Sequence, residues 1–119
     1  MKIDRTGSTV SRLVFAGLFV AWMFATVPVG AAGDTAAGKT VYSNKCLICH
    51  GATGDGATGY AKAMKLQPAQ LSSAQVQKKT DAELKKIIVE GSGKMKPIKG
   101  LSDDDIANVI AYVRTLAKK

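Results

Sequence analysis

Both cysteines and the only histidine of this 119-residue chain lie within five consecutive residues, which read Cys46-Leu47-Ile48-Cys49-His50. In an exported protein, this C-x-x-C-H spacing is typical of covalent haem attachment. Two thiols three residues apart on one helical turn can both add to the vinyl groups on one edge of a porphyrin. The adjacent imidazole then reaches the iron. The motif therefore predicts one haem c bound through Cys46 and Cys49, with His50 as an axial ligand.

Three other uses of this motif fit the sequence less well. A disulfide between Cys46 and Cys49 would close a very short loop and constrain little of the unfolded chain. A thiol-redox C-x-x-C belongs near a βαβ pattern, and this chain has none. A structural zinc site needs four ligands, whereas the chain offers three contiguous ones and no other Cys or His.

The N-terminus has the layout of a secretory signal peptide. Residues 1–12 are basic, residues 13–29 carry no charge, and residues 30–33 are small. We therefore predict a signal peptide over residues 1–32, export to the periplasm, and one folded domain over residues 33–119. The alternative is an uncleaved anchor, because 17 uncharged residues reach the lower limit for spanning a bilayer. Only in that case would the protein be bound to a membrane.

The predicted domain has few bulky apolar side chains of its own. All three Phe and the single Trp lie within the signal segment, which leaves Tyr42, Tyr60 and Tyr112 as the aromatic residues. Domains of this size bury a small core and often need an additional stabilising element, such as a disulfide or a bound cofactor. A bound haem would supply the missing apolar volume.

The charge of the chain favours acidic protein partners. The whole sequence carries a net charge of +8. Residues 33–119 hold 14 basic and 8 acidic residues, a net charge of +6. Such an excess steers association with an acidic surface on a redox partner. Nucleic acid fits poorly, because the lysines are scattered and Arg114 is the only arginine of the domain.

The domain shows helical periodicity and no period-two run typical of a strand, so we predict an all-α fold. The first helix begins near Asp34 or Thr35 and runs into the cysteines, and a glycine-rich loop follows over residues 51–59. A short helix is expected over residues 60–66, and the pattern of residues 69–79 is ambiguous, with about a turn and a half of helix as one interpretation. Capping signals at Thr80 and Ser102 start two amphipathic helices. Their apolar stripes are Leu84, Ile87 and Ile88 in the first and Ile106, Val109, Ile110, Val113 and Leu116 in the second.

Two methionines of the domain are candidates for the second axial ligand. Met64 lies in a helical pattern, where a methionine usually fills core space. Met95 lies in a loop with three glycines and a proline, from which a thioether can be directed inward. Chain length does not separate the two, since Met64 can also reach round the ring. The loop context favours Met95 as the ligand of the iron.

From Gly38 to Leu116 the chain resembles the class I monohaem cytochromes c of bacteria. The matching motifs are Gly38 and Tyr42 ahead of C-x-x-C-H-G, a second glycine-rich loop over residues 91–100 that carries Met95, and the acidic start of the last helix. The resemblance implies four to five helices wrapped around one haem and a cytochrome c domain over residues 33–119. It also implies that the first and last helices pack together at Gly38, and that His50 and Met95 are the axial ligands.

One departure from the family pattern matters. The family often has proline directly after the methionine, and here Lys96 stands there, with Pro97 next. Pro68 is our candidate for the proline that orients the histidine.

With both axial positions filled, the site can exchange an electron and has no position for a substrate, which predicts an electron carrier and not an enzyme. Lys94, Lys96 and Lys99, joined by Lys62 and Lys65, are the expected docking charges. Two alternatives stay open. One is a gas sensor or weak peroxidase with an open or labile sixth position, and the other is a haem subunit of a larger oxidoreductase.

Overall fold

The computed structural model describes residues 32–118, which fold into six α-helices and no strand. The helices are α1 (Thr35–Lys45), α2 (Leu47–His50), α3 (Gly59–Ala63), α4 (Ala74–Gln77), α5 (Asp81–Glu90) and α6 (Asp103–Thr115). The all-α fold class is confirmed. Residues 1–31, which hold nearly all of the predicted signal peptide, lie outside the described residues. Within residues 32–118, every helix is too short or too polar to cross a membrane.

The helix starts follow the capping chemistry expected from the sequence. The Asp34 carboxylate accepts hydrogen bonds from Ala36 and Ala37 at the start of α1. Thr80 and Glu83 form the predicted capping box of α5. At the start of α6, Ser102 forms a capping box with Asp105. Each side chain satisfies backbone N–H groups that have no partner inside the helix.

The structure divides two regions differently from the sequence prediction. The first helix is interrupted at Cys46, so that Leu47–His50 form a separate turn, α2. The third helix ends at Ala63, earlier than predicted, because Lys65 adopts a left-handed backbone with φ of 50°. These boundaries give six helices in place of four to five, and two of the six, α2 and α4, have only four residues.

Helices α1 and α6 cross in close contact, as the family resemblance implies. Gly38 is buried at the crossing, where an added Cβ would overlap the backbone carbonyl of Asn108 and come within 3.0 Å of the Tyr112 Cβ. Beside it, the rings of Tyr42 and Tyr112 pack with centroids 5.1 Å apart and an interplanar angle of 56°. The lack of a side chain at Gly38 therefore allows the two backbones to approach.

The buried core is small and consists of two clusters. One contains Val76, Leu84, Ile106 and Ile110, and the other contains Tyr42, Val109 and Val113. Leu71 and Ile88 are partly buried and pack against both clusters. The apolar stripe of α6 is therefore buried as predicted over Ile106 to Val113, while Leu116, Ile87 and Ile88 are half-buried.

Substitution of Gly38 by Ala tests the helix crossing. We expect Gly38→Ala to destabilise the protein by about 2 kcal/mol or more, because the added methyl overlaps backbone atoms that cannot move independently. Thermal unfolding of the holoprotein measures the change. Gly59→Ala is the matched control, since a Cβ at Gly59 meets no atom within 4 Å. Equal stability of the two variants would contradict this description of the crossing.

Candidate haem-attachment site

The two cysteines lie on one helical turn at the junction of α1 and α2. Cys46 is the last residue of the α1 hydrogen-bond ladder, because its N–H donates to the carbonyl of Tyr42 at 2.8 Å. Its own carbonyl accepts from the N–H groups of Cys49 at 3.2 Å and His50 at 3.0 Å. Both thiols are free and half-buried. The backbone thus brings the three residues of the motif together in the way the spacing predicts.

The imidazole of His50 is held by a backbone carbonyl. Its Nδ1 lies 3.3 Å from the carbonyl oxygen of Ala69. A carbonyl oxygen can only accept, so the hydrogen of a neutral imidazole is on Nδ1, and Nε2 keeps the lone pair that a metal needs. Burial lowers the pKa of His50, while the hydrogen bond to Ala69 opposes that change. The orienting carbonyl belongs to Ala69 and not to Pro68, one residue away from our candidate.

Three further hydrogen bonds fix the turn that carries the motif. The buried Tyr42 hydroxyl donates to the carbonyl of Gly51 at 2.7 Å. The Thr58 hydroxyl, which also caps α3, donates to the carbonyl of Ile48 at 2.8 Å. The N–H of Gly56 donates to the carbonyl of His50 at 2.8 Å. Carbonyls at the end of α2 that lack a partner inside the helix are thereby satisfied by α1, α3 and the glycine-rich loop.

The environment of Cys46 differs from that of a redox-active dithiol. Burial, with a smaller contribution from Cys49, raises the pKa of the Cys46 thiol to about 11. Reactive cysteines have a lowered pKa, because the thiolate is the nucleophile. At neutral pH the Cys46 thiol is therefore protonated, which disfavours the thiol-redox alternative.

The two candidate methionines have different surroundings. Met95 is half-buried in a tight turn, where its N–H donates to the carbonyl of Ser92 and its carbonyl accepts from the N–H of Ser92, both at 2.9 Å. Met64 follows α3 and is 55% exposed. The expectation that Met64 fills core space is therefore wrong. Ligation of the iron by Met95 stays a prediction.

The residues of this region fit a covalently bound haem. Two free thiols and an unprotonated Nε2 are the donor set that covalent attachment and axial ligation require. Several apolar side chains also lie exposed, with Leu47 at 36%, Ile48 at 59% and Met64 at 55%. Two of these, Leu47 and Ile48, lie between the cysteines, where they are available to contact an apolar group.

Comparisons with known proteins agree with this fold. Residues 33–113 match the family model described as cytochrome C oxidase, cbb3-type, subunit III. The chain is 39% identical over 90 residues to cytochrome c-554(547) of Halothiobacillus neapolitanus, an alignment that covers 71% of this chain and 99% of the relative.

Two solved structures share the fold. The KustC0563 c-type cytochrome has a TM-score of 0.58 and 26% identity, with 68% of this chain and 98% of that chain covered. Cytochrome c6 of the diatom Phaeodactylum tricornutum has a TM-score of 0.54 and 28% identity, with 71% and 95% covered.

The fold and the site define a c-type cytochrome domain, and the chain belongs to the cytochrome c family whose model it matches over residues 33–113. It is a haem electron-transfer protein whose cofactor is covalently bound haem c. Cys46 and Cys49 have the spacing of the attachment motif.

Proposed function

We propose that this chain carries one electron at a time between redox proteins of the periplasm, with haem c bound through Cys46 and Cys49 and its iron ligated by His50 and Met95. The observation that carries the proposal is the contact of His50 Nδ1 with the Ala69 carbonyl, which directs the lone pair of the imidazole to Nε2. A histidine held in this tautomer by a second-shell carbonyl is the usual arrangement of a metal ligand.

Each residue of the site has a separate role in this proposal. Cys46 and Cys49 bind the haem covalently to the turn that the hydrogen bonds of Tyr42 and Thr58 hold in place. His50 donates its Nε2 lone pair, and the bond to Ala69 keeps the ring from rotating. The thioether of Met95 favours the ferrous state relative to a second imidazole. When bound, the haem supplies an iron that accepts and releases one electron.

The remaining side chains support a carrier and not an enzyme. His50 is the only histidine, and both of its ring nitrogens have a use in the site, so no imidazole is left for acid–base catalysis. Asp105 and Glu83 accept hydrogen bonds in the capping boxes of α6 and α5. Hydrogen bonds from Ser102 and Thr80 lower the pKa of these two carboxyls, as expected for carboxylates in capping roles.

The lysines near Met95 favour an acidic docking partner. The Nζ of Lys94 donates to the carbonyl of Lys65 at 3.3 Å, so the Met95 loop and the end of α3 lie side by side. The five lysines of these two segments are exposed: Lys62, Lys65, Lys94, Lys96 and Lys99. Five positive charges over these two adjacent segments attract an acidic surface and let a weakly bound partner leave again.

The signal-like N-terminus supports export to the periplasm, where two thiols in a C-x-x-C-H motif and haem attachment are compatible. The family description favours a second candidate function, a haem subunit of a larger oxidoreductase. N-terminal sequencing of the native protein separates the two. A start near residue 33 supports the free carrier, and an intact segment over residues 13–29 supports an anchored subunit.

Substitution of Met95 tests the proposed ligand set. In Met95→Ala we expect loss of the sulfur-to-iron charge-transfer band of the ferric protein, because the substitution removes the proposed thioether ligand. The reduced variant should bind carbon monoxide rapidly at neutral pH, since a coordination position is open. Optical spectra and carbon monoxide titrations measure both effects.

Met64→Ala is the control for this experiment, because it removes the other thioether of the domain from an exposed position. Its spectrum should match that of the wild type. If Met64→Ala removes the band and Met95→Ala does not, the assignment of the ligand is wrong. If the wild-type protein itself binds carbon monoxide rapidly, the gas-sensor alternative gains support and the carrier proposal fails.

If the five lysines form a docking surface, the rate of electron transfer with an acidic partner should depend on salt concentration. Raising the ionic strength from about 0.01 M to about 0.15 M shortens the Debye length from about 30 Å to about 8 Å. We expect the second-order rate of electron transfer with an acidic redox protein to fall by about tenfold or more, because steering is screened. Stopped-flow mixing measures this rate.

Charge reversal at single lysines tests which part of the surface accelerates the reaction with the acidic partner. Lys96→Glu should slow the reaction at low salt, while Lys39→Glu on α1 applies the same change of charge outside the five-lysine cluster. A rate that does not depend on salt, or equal effects of the two variants, would remove the docking surface from the proposal.

A further inference from the structure

The carbonyl that holds His50 belongs to a short segment with its own supports. Two residues after Ala69, the N–H of Leu71 donates to the carbonyl of Gly54 at 2.7 Å. The carbonyl of Leu71 accepts from the side-chain Nε2 of Gln77 at 2.7 Å. Both backbone groups of Leu71 are therefore fixed, one by the loop that follows His50 and the other by α4.

Gln77 connects this segment to the last helix. Its Nε2 also donates to the carbonyl of Val113 in α6 at 3.0 Å. An amide nitrogen has two hydrogens, so these two bonds use its whole donor capacity. The backbone carbonyl of Gln77 accepts from Nη1 of Arg114 at 2.9 Å, which fixes the end of α4 against α6. The position of Gln77 is thus set in part by α6.

Arg114 is itself well anchored. Its Nη2 donates to the Lys79 carbonyl at 2.6 Å and to the Asp81 carboxylate at 2.6 Å. The guanidinium spans the junction between α4 and α5, and its bonds to charged and backbone groups are directional. A continuous set of hydrogen bonds therefore runs from α6 through Gln77 and Leu71 to the segment that holds His50.

The packing of the segment leaves it little room to move. The side chain of Leu71 packs against both core clusters. An ideal Cβ at Gly56 would lie 2.9 Å from the carbonyl oxygen of Pro68, so the glycine-rich loop is in close contact with the residue before Ala69. Removing the Gln77 amide would free two carbonyls in this partly buried region, and each lost partner favours a shift of the segment.

We propose that Gln77 is a positioning residue for His50. Through the Leu71 carbonyl it holds Ala69 where the Ala69 oxygen accepts the hydrogen of His50 Nδ1. This inference rests on the proposed function, in which His50 ligates the haem iron. A hydrogen bond from the outer ring nitrogen makes a ligating imidazole a stronger donor, which stabilises the ferric state. Gln77 therefore lowers the reduction potential of the site through the position of His50.

Substitution by methionine tests the role of the amide. Gln77→Met keeps the length of the side chain and removes both donors. We expect the ratio of ferrous to ferric protein at a fixed ambient potential to rise about threefold, equal to about 28 mV for one electron. In nuclear magnetic resonance spectra of the reduced holoprotein, the Nδ1 hydrogen of His50 should exchange faster with water.

Gln75→Met is the matched control, because Gln75 is an exposed residue of the same four-residue helix and receives the same chemical change. Its potential and its Nδ1 exchange should equal those of the wild type. If Gln77→Met does not fold, Gln77→Asn provides a milder change, since it keeps an amide but shortens its reach. We expect a smaller shift of the potential in the same direction.

A merely structural role gives a different result. If a Gln77 variant lowers the thermal stability but leaves the potential and the Nδ1 exchange unchanged, the inference is wrong while the proposed function stands. If the wild-type spectra show no histidine ligation, the proposed function itself fails. Failure of the inference is therefore seen in the Gln77 variants, whereas failure of the proposed function is seen in the wild-type protein.

Discussion

The small size of the hydrophobic core constrains the rest of this structure. Within residues 32–118 eight apolar side chains are buried, and seven of them form two clusters joined through the half-buried Leu71 and Ile88. The crossing of α1 and α6 closes one of these clusters, and it depends on the missing side chain at Gly38. Because so little apolar surface is buried, the hydrophobic contribution to the free energy of folding is small for a chain of this length. A covalently held apolar group next to the C-x-x-C-H turn adds contact area that the side chains do not provide.

The same elements that form the core also position the chemistry. Tyr42 packs on Tyr112 at the helix crossing and donates its hydroxyl hydrogen to Gly51, directly after the motif. Leu71 links the clusters, and its carbonyl accepts from the side chain of Gln77, which also donates to the carbonyl of Val113 in α6. Packing and the orientation of His50 are therefore coupled, because one set of residues serves both. A change in α6 can reach the segment that holds His50 through the hydrogen bonds of Gln77.

Local chemistry explains which features could be predicted from the sequence. The starts of α1, α5 and α6 follow from side chains that cap their own helices, and the geometry of the motif follows from its spacing along one turn. The family resemblance supplied the overall fold and the contact of the first and last helices. Features set by tertiary contacts were missed or misplaced. The carbonyl partner of His50 is Ala69 and not Pro68, Met64 is exposed instead of buried, and Gln77 carries no sequence motif. The attachment and ligation residues themselves remain predictions.

Covalent attachment of haem to Cys46 and Cys49 is the central claim, and it is tested most directly by extraction of the purified protein in acidic acetone together with its intact mass. The chain should be produced in a host that exports it and attaches haem c. We expect the colour to stay with the protein and the mass to equal that of the mature chain plus one haem. A Cys46→Ala, Cys49→Ala variant made in the same host should lose both properties. A wild-type protein that releases its haem into the solvent, or is colourless with two titratable thiols, would contradict the account.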